Sequence, residues 1–459
     1  MRTFADYFQA PVMTFEDLNL NKPLLNALND MGFKTPTPIQ EKACSVVMSG
    51  KDVLGIAQTG TGKTFAYLLP CLRQWTFQKN KVPQILILVP TRELVAQVVS
   101  EVEKLTPYID VKVTGVIGGV SIHPQIAAIS AGVDVIVATP GRLLELVING
   151  TLKLKTVKKL VIDEVDEMLS LGFRPQLTHI FDALPKRQNL LFSATITEEV
   201  EALIADYFNN PIRVEAAPTG TPLVNIKQHG YFVPNFNTKI NLLIHLFESN
   251  AELTKVLVFT GSKAIADIIF EKMDARFPER FGVIHSNKAQ NYRFNAVNQF
   301  KAGAFQGLIA TDIVARGIDV YEVTHVINFD TPDEAESYMH RIGRTGRYDK
   351  DGIAITFITE QEKPLFEKIE TLMHYEVPMI ELPETVEISE VLLPSEMPVV
   401  KMKTIKVRLP DRSTAGPAFH EKKDKNKKTN SKVPHKQLMR EKYGKPKKRA
   451  NKPGKKKGK

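Results

Sequence analysis

The sequence has few of the residues that crosslinked, metal-stapled or membrane-spanning proteins need. It contains only two cysteines, Cys44 and Cys71, which alone can build neither a disulfide framework nor a zinc site. No apolar run reaches the length of about 18 residues that a transmembrane helix requires, so we predict no membrane partner. The N-terminal MRTFADYFQAPVMTF lacks the basic and apolar regions of a secretory signal. These absences favour a reducing compartment, and the cytoplasm is the expected location.

The overall composition is that of a globular protein with several domains. Apolar residues make up 43% and charged residues 24% of the 459 residues. These values exclude a mostly disordered chain, a collagen and a coiled coil. The length predicts about three domains.

Positive charge is concentrated near the C-terminal end. Residues 401–459 hold 23 Lys and Arg against 4 Asp and Glu, whereas residues 1–400 hold 38 against 47. A segment this polar cannot bury enough apolar surface to offset chain entropy, so residues 391–459 are predicted to be a disordered basic tail. Its charge favours an arm that binds nucleic acid through phosphates. A solubilising tail and a nuclear-localisation signal at Lys445 to Arg449 are the alternatives.

Short apolar runs alternate with helical segments from residue 50 to about 372. Apolar strands that alternate with helices predict parallel sheets covered on both faces. We expect an α/β protein with domains at 1–215 and 224–390, a linker at 216–223 and the tail at 391–459. The predicted strands are Val53–Ala57, Ile85–Val89, Val133–Ala138, Leu160–Asp163, Leu190–Ser193, Val256–Thr260, Phe281–His285, Gly307–Thr311, His325–Asp330 and Ile353–Ile358.

Two helices and the linker can be predicted in more detail. A helix is expected over Arg92–Leu105. Another follows Val256–Thr260, with one apolar face. The aperiodic segment Val214–Asn225, which contains Pro and Gly, indicates the linker. The residues expected on that apolar face are Ala264, Ile265, Ile268, Ile269 and Met273.

A phosphate-binding loop follows the first predicted strand. The sequence AQTGTGKT, Ala57–Thr64, leads from this strand into a helix. Gly60 and Gly62 allow backbone N–H groups to approach phosphate oxygens. Lys63 is expected to reach the terminal phosphates, and the Thr64 hydroxyl to hold Mg²⁺. The strict motif has Gly where Ala57 stands, and the alternative is a Gly-rich turn that only caps the helix.

The strand Leu160–Asp163 ends in the acidic tetrapeptide DEVD. Because ligands bind at the carboxyl ends of parallel strands, these carboxylates should face the phosphate loop. Asp163 is the expected Mg²⁺ ligand, and Glu164 is the expected base or orienter for an attacking water. An acidic loop rim without catalytic function is the alternative.

Further motifs accompany the phosphate loop and the acidic tetrapeptide between residues 13 and 375. They are, in order, GFKTPTPIQ (Gly32–Gln40), PTRELVAQ (Pro90–Gln97), Gly118–Gly119, TPGR (Thr139–Arg142), SAT (Ser193–Thr195), VLVFTGS (Val256–Ser262), QNYR (Gln290–Arg293), ATDIVARGID (Ala310–Asp319) and HRIGRTGR (His340–Arg347). Together these motifs resemble those of the DEAD-box helicases of superfamily 2, in particular their bacterial RhlE-like branch. The resemblance implies two tandem RecA-like domains and a Q motif at 13–41. Val165 departs from the usual Ala, and Ser286 from a common Gly.

The resemblance implies ATP with Mg²⁺ as the nucleotide. It gives Gln40 the role of reading adenine, which suits an amide because it both donates and accepts hydrogen bonds. Phe33 and Phe15 are expected around the base, and for Phe15 plain core packing is an equal alternative. Asp319 is expected at the ribose. The loop residues assigned to ATP are Ala57, Gln58, Thr59, Gly60, Thr61, Gly62, Lys63 and Thr64.

The resemblance also divides the catalytic residues between the two domains. Arg344 and Arg347 match arginine fingers, so hydrolysis would require domain closure. A solvated helix face is the alternative for this arginine run, and Gly343 and Gly346 argue against it because they interrupt the helix. The residues assigned to coupling between the halves are Asp166, Ser193, Thr195 and His340.

RNA is the partner that the resemblance implies, held largely through its backbone without sequence preference. Structural roles, such as helix capping, are the alternative for each assigned residue. Ribosomal or RNA-decay proteins are the expected protein partners. The alternatives to an ATP-dependent RNA helicase are a DNA helicase of the same superfamily and a non-catalytic RNA chaperone that acts through its tail. The assigned RNA contacts are Arg92, Gly119, Thr139, Arg142, Arg293 and Thr311.

Overall fold

The computed structural model describes residues 13–58, 60–215, 225–312, 323–346, 351–393 and 396–397, together with residue 442. The predicted linker, Thr59, Asp319, Arg347 and nearly all of the tail lie outside these residues. Within the described residues, no helix is both long enough and apolar enough to cross a membrane. The two sheets described below belong to one compact unit that ends at Met397.

Residues 13–215, called domain 1 here, form a parallel sheet of seven strands covered by helices. The strands follow the order β3-β4-β2-β5-β6-β1-β7 across the sheet. They are β1 (Val53–Ile56), β2 (Ile85–Leu88), β3 (Val113–Val116), β4 (Val135–Ala138), β5 (Lys159–Asp163), β6 (Gln188–Ser193) and β7 (Ile212–Glu215). The helices are α1 (Lys22–Asp30), α2 (Pro38–Met48), α3 (Lys63–Arg73), α4 (Arg92–Leu105), α5 (His123–Ser130), α6 (Pro140–Ile148), α7 (Val165–Ser170), α8 (Arg174–Ala183) and α9 (Glu198–Tyr207).

Residues 225–393, called domain 2, repeat this architecture. Their seven strands are parallel and lie in the order β10-β11-β9-β12-β13-β8-β14. They are β8 (Ile226–Phe232), β9 (Val256–Thr260), β10 (Phe281–Ile284), β11 (Gly307–Thr311), β12 (His325–Asn328), β13 (Gly352–Ile358) and β14 (Met379–Ile380). The helices are α10 (Phe236–Ser249), α11 (Lys263–Arg276), α12 (Gln290–Lys301), α13 (Ala335–Ile342) and α14 (Lys363–Met373).

The two α/β domains with parallel sheets confirm the predicted fold class. All ten predicted strands are present, with ends that differ by at most two residues, and α4 has the predicted bounds. The prediction missed β3, β7, β8 and β14. Strand β8 was missed because its exposed and buried residues alternate, unlike a strand covered on both faces. The linker prediction was wrong for Val214, which is buried in β7.

The predicted apolar face of α11 was partly wrong. Ala266, Ile269 and Met273 are the buried residues of this helix, whereas Ala264 is exposed. Ile265 and Ile268 are half-buried against the core. The helix is therefore rotated relative to the predicted face, because its contacts with the sheet select Ala266 instead of Ala264.

Each sheet buries apolar side chains on both faces. In domain 1, Val53 and Phe192 belong to the core under α2, α3 and α4, while Leu54 and Leu191 belong to the core under α6, α7 and α8. Successive side chains of a strand point to opposite faces, so each strand contributes to both cores. Because every strand is parallel, all strand-to-helix loops lie on one edge of the sheet, the carboxyl edge.

Strand β1 approaches β6 closely enough to require glycine at one position. Gly55 pairs with Phe192, and a Cβ at residue 55 would collide with the Phe192 ring. That ring also packs against Tyr67 at 5.3 Å between centroids, so it has little room to move.

We therefore predict that Gly55→Ala destabilises domain 1 by about 1–3 kcal/mol through overpacking. Trp75, the single tryptophan of the chain, packs on the same core, so its fluorescence during urea unfolding reports on domain 1. Gly141→Ala is the matched control, because a Cβ there meets nothing within 4 Å. An unchanged midpoint for Gly55→Ala would contradict the packing argument.

Candidate nucleotide site and the interface between the domains

The phosphate loop connects β1 to α3 at the carboxyl edge of domain 1. Gly62, the residue before α3, has φ of 91°, a left-handed conformation that favours glycine. Thr61 donates its hydroxyl to the carbonyl of Gln58 at 2.7 Å and thereby closes the turn. Lys63 is only 6% exposed, and its Nζ has no hydrogen-bond partner among the described residues. A buried ammonium beside free helix N–H groups is the arrangement that binds phosphate.

Gln40 holds the loop from the N-terminus of α2. Its Nε2 donates to the Gly62 carbonyl at 3.1 Å, and its Oε1 accepts the Thr37 N–H at 2.9 Å. A Cβ at residue 62 would lie 2.5 Å from this Nε2, so Gly62 is required by space as well as by φ. The structure therefore gives Gln40 a loop-holding contact that the sequence did not predict.

Of the two phenylalanines assigned to the base, Phe15 lies in the core of domain 1 and Phe33 packs against that core. Phe33 packs edge-to-face on Phe65 of α3, with 5.5 Å between ring centroids. Phe15 is 4% exposed and belongs to the domain 1 core. The contacts of Phe15 are thus those of a core residue.

The carboxylates Asp163 and Glu164 lie at the end of β5, beside Lys63. The hydroxyl of Tyr67 donates to Asp163 Oδ2 and the backbone N–H of Glu164 donates to Asp163 Oδ1, both at 3.0 Å. Burial raises the pKa of Asp163, and the charge of Lys63 opposes that rise. The sequence did not predict Tyr67, although its position one turn after Lys63 was the available signal. Val165, the departure from the family pattern, is fully buried in the core.

Glu164 has features of a residue held for a purpose other than packing. Its φ is 53°, uncommon for a residue with a side chain, and its Oε2 is buried with no hydrogen-bond partner among the described residues. Burial raises the pKa of Glu164 to about 7, while the positive charges of Lys63 and Arg344 act in the opposite direction. Arg344 belongs to domain 2, so charges from both domains act on this carboxylate.

Asp166 forms a second contact between the domains. It accepts hydrogen bonds from the Thr195 N–H at 3.0 Å and from the Thr195 hydroxyl at 2.9 Å. His340 Nε2 of α13 lies 3.8 Å from its Oδ2. Burial would raise the pKa of Asp166, but His340, Lys63 and hydrogen bonds from Ser193 and Thr195 together lower it. The structure thus brings together the four residues assigned to coupling.

Arg344 lies just after α13 and is 5% exposed. Its Nε donates to the His340 carbonyl at 3.3 Å. Arg341, which the sequence analysis did not single out, is 1% exposed and binds both carboxylate oxygens of Asp312 at 2.6 and 2.7 Å. Arg341 therefore stabilises domain 2 internally, whereas Arg344 acts on domain 1.

Two of the arginines assigned to RNA lie where the domains meet. Arg293 of domain 2 forms an ion pair with Glu93 of domain 1 at 2.7 Å, and both side chains are buried. Gln290 donates to Glu93 at 3.1 Å and accepts from Arg92 at 3.5 Å. We call Arg92, Glu93, Gln290 and Arg293 the interdomain clasp. The sequence motifs contained Glu93 and Gln290, but the sequence analysis assigned neither a role.

The other residues assigned to RNA occupy the carboxyl edges of the two sheets. Gly119 abuts Arg92, since a Cβ there would collide with its guanidinium. Arg142 donates to the Val120 carbonyl at 3.0 Å. Thr139 follows β4, and Thr311 ends β11.

The clasp predicts a measurable coupling between Glu93 and Arg293. Glu93→Gln and Arg293→Gln should each lower the population of the closed form, in which the clasp joins the two domains. The double variant should lower it little further than either single variant does. This corresponds to a coupling free energy of about 0.5–3 kcal/mol between the two residues. Fluorescence transfer between dyes at Glu201→Cys and Lys272→Cys measures closure, because these sites are exposed while Cys44 and Cys71 are buried. Strictly additive effects would contradict the clasp.

Comparisons with known proteins agree with this geometry. The DEAD/DEAH box helicase profile matches residues 37–203, and the Helicase conserved C-terminal domain profile matches residues 238–349. The ATP-dependent RNA helicase DBP2 of Candida albicans is 40% identical over 370 residues, which cover 77% of this chain and 64% of the relative. The chain thus spans less than two thirds of the length of that relative.

Two further matches cover more of the compared protein. The DEAD-box ATP-dependent RNA helicase CshA of Geobacillus kaustophilus is 40% identical over 351 residues, covering 76% of this chain and 74% of the relative. The structure of S. cerevisiae Dbp5 bound to RNA and ADP BeF3 has a TM-score of 0.74 and 28% identity, covering 80% of this chain and 95% of that chain. With both profiles matched in order and two tandem RecA-like sheets in place, the chain belongs to the DEAD-box helicase family.

Proposed function

We propose that this chain is an ATP-dependent RNA helicase. It would unwind short duplexes or remodel RNA and RNA–protein complexes by RNA-stimulated ATP hydrolysis. The observation that carries the proposal is the division of the site between the domains. The positive charge of Arg344 in domain 2 acts on the carboxylate of Glu164 in domain 1. Asp166 Oδ2 of domain 1 lies 3.8 Å from His340 Nε2 of domain 2. The names of the relatives DBP2 and CshA, both ATP-dependent RNA helicases, support it.

ATP with Mg²⁺ is the nucleotide that the site fits. The Nζ of Lys63, which has no hydrogen-bond partner in the described part of the chain, and the N–H groups at the start of α3 suit phosphate oxygens. Thr64 and Asp163 would hold Mg²⁺, since hydroxyl and carboxylate oxygens are its preferred ligands. Bound there, Mg²⁺ neutralises charge on the phosphates.

The residues of this chain divide the chemical work as follows. Tyr67 and the Glu164 N–H fix the orientation of the Asp163 carboxylate. Glu164 accepts the proton of, or orients, the attacking water, a task that suits a buried carboxylate with a raised pKa. Arg344 stabilises the charge that develops on the transferred phosphoryl group, so the reaction requires both domains.

RNA binding is coupled to hydrolysis through closure of the two domains. Arg92, Gly119, Thr139 and Arg142 on domain 1 and Arg293 and Thr311 on domain 2 are proposed to hold one strand across both domains. Because the clasp includes Arg92 and Arg293, strand binding and closure share residues. A strand held in a path that only the closed form offers is pulled away from its complement, and hydrolysis then releases it.

Arg344→Ala should reduce the RNA-stimulated kcat by about 10³–10⁵. The expected loss is in turnover, because the arginine acts on the transition state and the phosphate loop of domain 1 remains intact. Phosphate release measures turnover, and nucleotide fluorescence measures ATP affinity. Arg276→Ala is the control, an exposed arginine of the same domain that pairs with Glu248. Turnover that matches the wild type would refute the divided site.

ATP and RNA should each tighten the binding of the other by the same factor, because both favour closure. Titrations of RNA with and without a non-hydrolysable ATP analogue, and the reverse titrations, give the two factors. We expect about 5–150-fold. The proposal fails if RNA changes neither ATP affinity nor ATPase rate.

The two alternative functions predict different results in the same assays. A DNA helicase would be stimulated by DNA as strongly as by RNA of equal length. An RNA chaperone acting through the tail would lose its function when residues 401–459 are deleted. We expect that deletion to leave unwinding in place while weakening RNA binding and its salt dependence. The RhlE-like branch, the tail's disorder and the ribosomal or decay partners stay predictions.

A further inference from the structure

The edge of domain 1 opposite the nucleotide site is unusually basic. This amino edge consists of the loops that lead into the seven strands. These loops contain nine Lys and Arg against three Asp, a net charge of +6, although residues 1–400 as a whole are acidic. The loops are residues 49–52, 74–84, 106–112, 131–134, 149–158, 184–187 and 208–211.

The three aspartates of this edge are engaged within the protein. Asp52 accepts backbone N–H groups of Asn189 at 2.8 Å and Asn209 at 2.9 Å. Asp110 and Asp134 share the ammonium of Lys81, at 2.9 and 3.2 Å. One lysine therefore pairs with two of the carboxylates, and the remaining basic side chains determine the charge that the edge presents to solvent.

The basic residues form one row because neighbouring loops are bonded together. Thr156 donates to the Pro83 carbonyl at 2.8 Å, and Lys158 donates to Thr76 at 3.3 Å, which joins the loops before β5 and β2. Gln188 donates to the Lys51 carbonyl at 2.6 Å, which joins the starts of β6 and β1. From the loop before β3 to that before β1 there are five strand spacings, about 24 Å in all.

The loop before β5 contributes the densest part of the row. Lys153, Lys155 and Lys158 are all exposed in its ten residues. Lys186 is exposed in the neighbouring loop, and Arg187 beside it has a buried Nε with no hydrogen-bond partner among the described residues. Charges spaced along an extended row match the regular phosphates of a nucleic acid backbone.

An exposed aromatic ring accompanies these cations. Phe77, in the loop before β2, is 64% exposed and packs edge-on against Trp75 with 6.4 Å between centroids. Lys81 Nζ lies 6.0 Å from the Phe77 ring. Apolar burial does not explain a phenylalanine this exposed. An aromatic ring beside lysines is what proteins use to stack an unpaired base.

We propose that the amino edge of domain 1 is a second RNA-binding surface. It holds the backbone of RNA that flanks the strand bound at the carboxyl edge, with Phe77 stacking on an unpaired base. The inference rests on the proposed function, which supplies RNA as the ligand. An acidic protein would match the charge but leaves the exposed Phe77 without a role, so RNA is the better occupant.

The test compares two RNAs on the full chain. One is a single strand of about 10 nucleotides, the size of a single site. The other joins that strand to a duplex of about 20 base pairs, long enough to reach across the domain. The variant carries Lys153→Gln, Lys155→Gln and Lys158→Gln. The control carries Lys227→Gln, Lys272→Gln and Lys368→Gln, three exposed lysines of domain 2.

For the long RNA, we expect the triple variant to raise Kd about tenfold and to reduce the slope of log K against log salt by about 2. The Kd of the short strand and the ATPase rate that it stimulates should stay at wild-type values. Phe77→Ala should weaken the binding of the long RNA about fivefold or more. Phe77→Tyr should keep the wild-type affinity, because a tyrosine ring stacks on a base as a phenylalanine ring does.

Three results would overturn the proposal. The first is an unchanged Kd for the long RNA in the triple variant, and the second is an equal loss of affinity in the control. The third is a triple variant that loses its binding of polyglutamate but keeps its affinity for RNA, which would identify a surface for an acidic protein. Failure of the proposed function gives a separate result, since the short strand would then not stimulate the wild-type ATPase. Long-RNA affinity still decides the role of the edge in that case.

Discussion

The parallel arrangement of the strands is the constraint on which the rest of the molecule depends. When all strands of a sheet run the same way, every loop that leaves a strand lies on one edge and every loop that enters a strand lies on the other. The phosphate loop after β1, the acidic pair at the end of β5 and Ser193 at the end of β6 are therefore neighbours, although Ala57 of the loop and Ser193 lie 136 positions apart. The same constraint collects the lysines of five separate loops on the opposite edge.

Buried charges then make the two domains depend on each other. Glu164 and Asp166 are both buried, and their electrostatic environment includes Arg344 and His340 from domain 2. Glu93 is balanced by Arg293 in the same way. Once closure removes these charges from water, each would be strongly unfavourable without its partner, so the closed arrangement depends on these contacts. A ligand that adds or compensates charge in the cleft can therefore shift the balance between open and closed forms.

Several features could be predicted from the sequence because their signals are local. An apolar run of four to six residues, a Gly-rich turn before a helix and an acidic pair after a strand are all visible in short windows. Strand β8 was missed because one of its faces is partly exposed, and Val214 was missed because β7 ends beside a Pro- and Gly-bearing segment. The face of α11 was misjudged because several faces of that helix are apolar, and only its packing selects Ala266.

What the sequence determined by itself was the fold class, the order of the motifs and the segregation of charge into a basic C-terminal segment. Each of these depends on residue type and spacing along the chain. Only the tertiary structure decided that Gln40 holds the phosphate loop, that Gln290 bridges Arg92 and Glu93, and that lysines from separate loops form one row. Such contacts join residues that lie far apart along the chain. Their formation depends on how sheets and domains pack, which no local pattern specifies.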